Sequence, residues 1–133
     1  MNIAFQRRTD LALAAMRALS ETGPMPGVDL ADRLGTTLFY LPQIMGPLVK
    51  SGWVNSVRGP GGGYQLTDEV GGASLLDVVE AVEKPEDGLC VLRDQPCPGE
   101  TACAVHSVWT QAEMVLRNGL NDIPAVALKE KQL

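Results

Sequence analysis

Three cysteines, Cys90, Cys97 and Cys103, share one stretch of the sequence with six and five residues between them, and the only histidine, His106, follows after two more residues. Pro85, Gly88, Pro96, Pro98 and Gly99 punctuate that stretch, so it reads as a loop. Structural thiols sit instead in the packed interior, on helices and strands. A structural zinc site calls for at least one short cysteine knuckle, which is absent. The wide spacing suits a larger object held by several thiolates, an iron–sulfur cluster. Three thiolates leave one coordination position for a weaker fourth ligand, and a cluster held that way is labile, as a sensor needs. Three buried structural thiols or a zinc site are the alternatives. A single histidine excludes multi-histidine metal enzymes and most triads that need a separate histidine–acid pair.

A second group of residues points to a different chemistry. Arg58 is followed by Gly59-Pro60-Gly61-Gly62-Gly63. One cation beside residues without bulk lets backbone approach a surface closely. A narrow minor groove of DNA attracts such an arginine. A phosphate-binding P-loop needs a Gly-Lys-Ser/Thr ending and a helix after it, and neither follows here. A plain flexible loop is the alternative reading of the glycines.

The elements that must position these groups can be read from periodicity. Leu11, Ala14, Ala15, Ala18 and Leu19 recur at helical spacing and predict a helix over 8–22, ended by Gly23-Pro24. A short helix is predicted over 28–34. Gly35-Thr36-Thr37 then turns into a third helix over 38–51, with Thr37 as N-cap and Leu38, Leu41, Met45, Leu48 and Val49 as its inner stripe. Pro42 is tolerable near that helix's first turn, whereas Pro47 predicts a kink. Two helices joined by a short glycine-containing turn form a helix-turn-helix. Residues 53–57 and 64–67 alternate like strands around the glycine run, which predicts a β-hairpin. A helix-turn-helix followed by such a hairpin is a winged helix.

Ser74-Leu75-Leu76-Asp77 reads as a capping box with Asp in the usual Glu place, opening a helix over 75–82. Residues 84–102 read as loop. Val105, Val108, Ala112 and Val115 predict a long helix over 103–118, amphipathic enough to bury one face against a second copy. Pro124 is placed in the first turn of a last helix. The fold class expected is mainly α: a winged helix-turn-helix domain over 1–83, a cysteine-bearing loop over 84–104, and a long dimerisation helix with a C-terminal helix over 105–133.

The chain has 133 residues and a net charge of −5. The average conceals a split. Residues 1–66 carry six basic and four acidic side chains; residues 67–133 carry five and twelve. The first half is therefore +2 and the second −7, and a local basic surface suffices to meet phosphates. No apolar run is long enough for a transmembrane helix. The start lacks a secretory h-region, and an odd cysteine count fits poorly with a disulfide framework, so a cytoplasmic protein is expected.

With these motifs in place, the chain resembles the iron–sulfur winged-helix regulators, the family that includes IscR and the nitric-oxide-sensing repressor NsrR. The resemblance covers nearly the whole chain. It is carried by Arg7-Arg8-Thr9-Asp10-Leu11-Ala12-Leu13, by Ser56-Val57-Arg58-Gly59-Pro60-Gly61-Gly62-Gly63-Tyr64 and by the three-cysteine loop. It implies a homodimeric DNA-binding regulator, not an enzyme, with Cys90, Cys97 and Cys103 on the cluster. The fourth ligand it implies is either Asp10, where NsrR-type proteins place a carboxylate on a 4Fe-4S cluster, or His106, where IscR-type proteins place a histidine on a 2Fe-2S cluster. The surroundings Pro96-Cys97-Pro98 and Ala102-Cys103 resemble the NsrR type more closely, which favours Asp10 and 4Fe-4S.

On this reading Thr36, Thr37, Phe39, Tyr40 and Gln43 meet base edges in a major groove, although Phe39 and Tyr40 could equally pack against the first helix. Arg58, Gly59 and Gly61 form the minor-groove tip. Arg7, Arg8 and Lys50 meet phosphates. The expected partner is double-stranded DNA with a pseudo-palindromic operator. No membrane and no small-molecule substrate is expected. A winged-helix regulator using its cysteines as a thiol-redox switch, or one bound to a partner protein without a cluster, is the alternative function.

Overall fold

The computed structural model describes residues 3–83, 89–90, 93–96 and 103–126. Helix α1 (Arg7–Thr22) buries Leu11, Ala12, Ala15, Met16, Ala18 and Leu19 along one face, within one residue of the predicted start. Its small alanines let α3 (Leu41–Lys50) and α4 (Leu75–Glu83) approach, and these three helices meet in the core. Helix α2 (Gly27–Leu34) contributes Leu30 and Ala31. It ends at Gly35, whose φ of 68° is the left-handed cap from which its N–H reaches the Ala31 and Asp32 carbonyls.

Helix α3 begins three residues later than its predicted start at Leu38. Pro42 has no N–H to give the Leu38 carbonyl, so residues 37–40 form a turn and the regular ladder starts at Leu41. Thr37 still caps that turn: its Oγ1 accepts the Tyr40 N–H at 3.1 Å. The inner stripe shifts accordingly. Leu41, Ile44, Met45 and Leu48 are buried, while Leu38 and Val49 face out. The helix runs on through Pro47, and Ser51 N–H reaches the Pro47 carbonyl at 3.0 Å.

Strands β1 (Val54–Val57) and β2 (Gly63–Leu66) pair antiparallel, with Val54 opposite Leu66 and Val57 opposite Gly63. A one-and-a-half-turn 3-10 helix (Asp68–Gly72) leads to α4. The capping box is present in both directions: Ser74 N–H to Asp77 Oδ2 at 2.9 Å, and Asp77 N–H to Ser74 Oγ at 3.1 Å.

In the segment read as loop, β3 (Leu89–Cys90) and β4 (Arg93–Pro96) form a short antiparallel pair. Helix α5 (His106–Asn121) begins three residues after the predicted start and packs along α4, with an ion pair between Arg117 and Glu80. None of its residues is buried. Pro124 does not open a helix; it lies in an antiparallel bridge with Ser74, flanked by Leu75 N–H to the Ile123 carbonyl and Ala125 N–H to the Ala73 carbonyl. The rest of the predicted last helix lies outside the described residues. Among the described residues no helix is long and apolar enough to cross a membrane.

The reciprocal cap at the head of α4 gives a direct test. Ser74→Ala removes the acceptor for Asp77 N–H and should lower the unfolding free energy by about 1 kcal/mol in urea titrations, with an unchanged slope.

Candidate functional site

The wing is held to the helices from an unexpected side. Met25, in the connector between α1 and α2, pairs with Tyr64 through two backbone bonds: Met25 N–H to the Tyr64 carbonyl at 3.0 Å, and Tyr64 N–H to the Met25 carbonyl at 2.9 Å. Burial against this connector raises the Tyr64 phenol above its ordinary value, so it stays neutral. At the tip, Gly62 N–H closes a turn onto the Gly59 carbonyl at 2.9 Å.

The glycines therefore divide by role. Gly59 and Gly61 have φ of 90° and 77°, with open space where a side chain would stand. Gly62 and Gly63 have none. A Cβ on Gly62 would collide with the Val57 carbonyl oxygen, and one on Gly63 with that of Met25. The sequence points to backbone approaching an outside surface; the tightest approaches at Gly62 and Gly63 are internal. Arg58 is exposed at the tip, just before Gly59.

The DNA-reading candidates fall on one helix-turn-helix. Thr36 is half-buried, Thr37 and Gln43 are exposed, and Phe39 is 88% exposed. Tyr40 packs against the core, so of the two aromatics only Phe39 stands free of it. Lys50 is exposed at the end of α3 and Arg7 at the start of α1. Arg8 is half-buried, and its Nη2 donates to the Val82 carbonyl at 3.4 Å. That contact gives it a role inside the fold that the sequence reading did not include.

Glu83 is the residue sequence reasoning missed. It is the last residue of α4, and its Oε1 accepts both the Gln6 N–H and the Thr9 hydroxyl, each at 2.8 Å. Thr9 is fully buried. A carboxylate at this place also complements the positive end of α1. The partners are more than seventy residues apart, and no local pattern announces them. The only available signal was a hydroxyl on the buried face of α1.

Glu83 immediately precedes the cysteine segment. Cys90 ends β3; the register sets Leu89 opposite Pro96, so the chain doubles back and the residue before Cys97 lies across from the residue before Cys90. Cys97 lies outside the described residues. Cys103 is half-buried just ahead of α5, and its carbonyl accepts the His106 N–H at 3.3 Å. His106 is half-buried as the first residue of α5, and Asp10 is exposed in the first turn of α1. Among the described residues no three His, Cys, Asp or Glu side chains converge on one point. The donor set of three thiols fits an iron–sulfur cluster in number and softness.

A family model named Rrf2 and described as iron-dependent transcriptional regulator matches residues 5–127. The HTH-type transcriptional regulator IscR of Klebsiella pneumoniae subsp. pneumoniae is 38% identical over 113 residues, which is 85% of this chain and 69% of that protein. The IscR of an Enterobacter species matches at the same identity and coverage. Among solved structures, Staphylococcus aureus CymR superimposes with a TM-score of 0.72 at 26% identity, covering 94% of this chain and 97% of that one. T. potens IscR gives 0.73 at 24% identity, covering 100% and 93%.

The Glu83 contacts predict a graded pair of variants. Glu83→Ala leaves the buried Thr9 hydroxyl without its acceptor and should cost on the order of 1–3 kcal/mol in chemical denaturation. Glu83→Gln keeps an acceptor oxygen and should cost less. Equal stability of Glu83→Ala and wild type would show that the tie carries no weight.

Proposed function

This chain belongs to the Rrf2 family of transcriptional regulators, and we propose that it is a homodimeric, cytoplasmic repressor whose grip on a pseudo-palindromic operator is set by an iron–sulfur cluster. The cluster is 4Fe-4S rather than 2Fe-2S and answers to nitric oxide, redox state or iron–sulfur supply. Its relatives are transcriptional regulators, and the chain is not an enzyme.

The observation that carries this reading is the fastening of the cysteine segment to the DNA-reading half. Glu83 stands one residue before that segment and holds the start of α1. A change in the segment therefore has a short route to α1, which packs directly on α3. Such a route supplies the differential contact that a switch requires.

Cys90, Cys97 and Cys103 would hold the cluster. Asp10 of the second subunit is the preferred fourth ligand, with His106 the alternative. A carboxylate is a hard ligand for cluster iron, so that position is the one most readily opened. When bound, the cluster supplies a redox-sensitive and nitric-oxide-sensitive group that keeps three thiolates together. The apolar side chains that α5 leaves in solvent, Val108 at 71% and Val115 at 72% with Met114 and Leu116 beside them, make the seam for the second copy.

On DNA, the start of α3 enters the major groove with Thr36, Thr37, Phe39 and Gln43, and Tyr40 braces it from the core side. Arg58 reaches the adjacent minor groove, with Gly59 and Gly61 letting the tip approach. Arg7 and Lys50 meet phosphates, and Arg8 divides its guanidinium between phosphate and the Val82 carbonyl.

One preparation tests the reading. Protein purified without oxygen should contain iron and acid-labile sulfide, and Cys97→Ala should lose both. Arg58→Ala should keep both while binding the operator more weakly, because Arg58 is exposed at the wing tip. Lys50→Ala should weaken binding to all duplexes about equally and reduce the salt slope by about 1. Wild-type protein free of iron and sulfide, yet changing its DNA affinity on thiol oxidation, would establish the thiol-switch alternative.

A further inference from the structure

We propose that Phe39 is a specificity-determining residue that reads the 5-methyl group of an operator thymine; the inference rests on the DNA-reading role proposed above. The turn over 37–40 carries Phe39 at the entry to α3, the part of a helix-turn-helix that meets base edges. Its ring is 88% exposed. Its neighbours are more engaged with the fold: Leu38, 54% exposed, leans over Gly27, Tyr40 packs on the core and Leu41 is buried.

The turn is pinned, so the ring's anchor is fixed in place. Thr37 Oγ1 accepts the Tyr40 N–H at 3.1 Å, and the Thr37 carbonyl accepts the N–H groups of Tyr40 at 3.2 Å and Leu41 at 3.1 Å. Pro42 stops the helix from extending backward to absorb it. A phenyl ring on a fixed backbone has two torsions to lose on contact, which is little for the area it presents. A single exposed apolar side chain is ordinary on a protein surface. This one is held outward at the one place where the fold offers side chains to bases.

The chemistry of the groove then selects the contact. Major-groove edges present hydrogen-bond donors, acceptors and one apolar group, the thymine methyl. Thr36, Thr37 and Gln43 are suited to donors and acceptors, and Lys50 to phosphate. Among these candidates the Phe39 ring presents the largest apolar face to a methyl; the Thr36 and Thr37 methyls offer far less area.

Duplexes enriched from a random-sequence pool by wild-type protein serve as the probe, with each thymine replaced in turn by deoxyuridine, which removes only that methyl. At one symmetric position the replacement should weaken wild-type binding about fourfold per half-site. Phe39→Ala should bind the thymine and uracil forms alike at that position, and Phe39→Leu should restore part of the difference. Unchanged thermal melting confirms that both variants fold. The same thymine-to-uracil ratio for wild type and Phe39→Ala at every position overturns the proposal while leaving DNA binding intact. So does a Phe39→Ala loss that leaves every thymine preference in place, since the ring then acts by another contact. Failure of wild type to enrich any duplex overturns the DNA-reading role, and this proposal with it.

Discussion

One carboxylate joins the two ends of the described core. Glu83 accepts from the Gln6 backbone and the Thr9 hydroxyl, closing a loop of more than seventy residues. The net value of one hydrogen bond is about 1 kcal/mol, but leaving a buried partner unsatisfied costs up to about 3. Thr9 has no exposure to solvent, so its hydroxyl relies on the carboxylate as acceptor. The angle at which α1 meets α4 is thus fixed at the point where the chain leaves for its cysteines. Arg8 adds a second stitch to the Val82 carbonyl.

The wing is fixed by a parallel device at the other side of the core. The Met25–Tyr64 bridge joins β2 to the α1–α2 connector, so the hairpin is not an isolated two-stranded ribbon, which would be marginal in water. Gly63 exists for this closeness and Gly62 for the tip's own tight turn against the Val57 carbonyl, whereas Gly59 and Gly61 only bend the tip. Both ties run from α1 or its connector, one to the wing and one to the root of the cysteine segment. Helix α1 is therefore the common frame, and it carries Asp10 on its exposed side.

Local chemistry was legible in the sequence. Helical periodicity located α1, α2, α4 and α5 to within a few residues, and the capping box at Ser74 appeared with Asp in the Glu position as read. The wing strands followed from alternation around glycine. What the sequence could not give was contact between distant parts. Nothing near Glu83 or Met25 announces its partner, because those bonds are set by tertiary packing. The late start of α3 was in principle readable: Pro42 is compatible with the helix but not with a ladder reaching back to Leu38. Periodicity extended the stripe to Leu38, and the missing N–H decided against it. The β3–β4 pair was hidden by the Pro and Gly residues that read as loop, although Pro96 itself stands in β4. Of the candidate site, Thr37, Gln43 and Arg58 lie exposed and Thr36 is half-buried, Tyr40 was divided from Phe39 only by the structure, and Cys97 lies outside the described residues.

The charge distribution shows how a chain of net −5 can still meet DNA. At physiological salt, exposed charges act over about 8 Å. The twelve acids of the second half therefore do not need to be outweighed; they need only lie farther than that from phosphate. Arg58, Lys50 and Arg7 stand exposed on the tip of the wing, the end of α3 and the start of α1. Three or four such cations would give a salt-dependent but modest hold. With so small an electrostatic contribution, affinity for the correct sequence has to come from shape and base contacts. On the proposed DNA-reading role, a pinned aromatic at the mouth of α3 and a constrained wing tip would supply those contacts, and a small tilt of α1 against α4 would be felt in the fit of both.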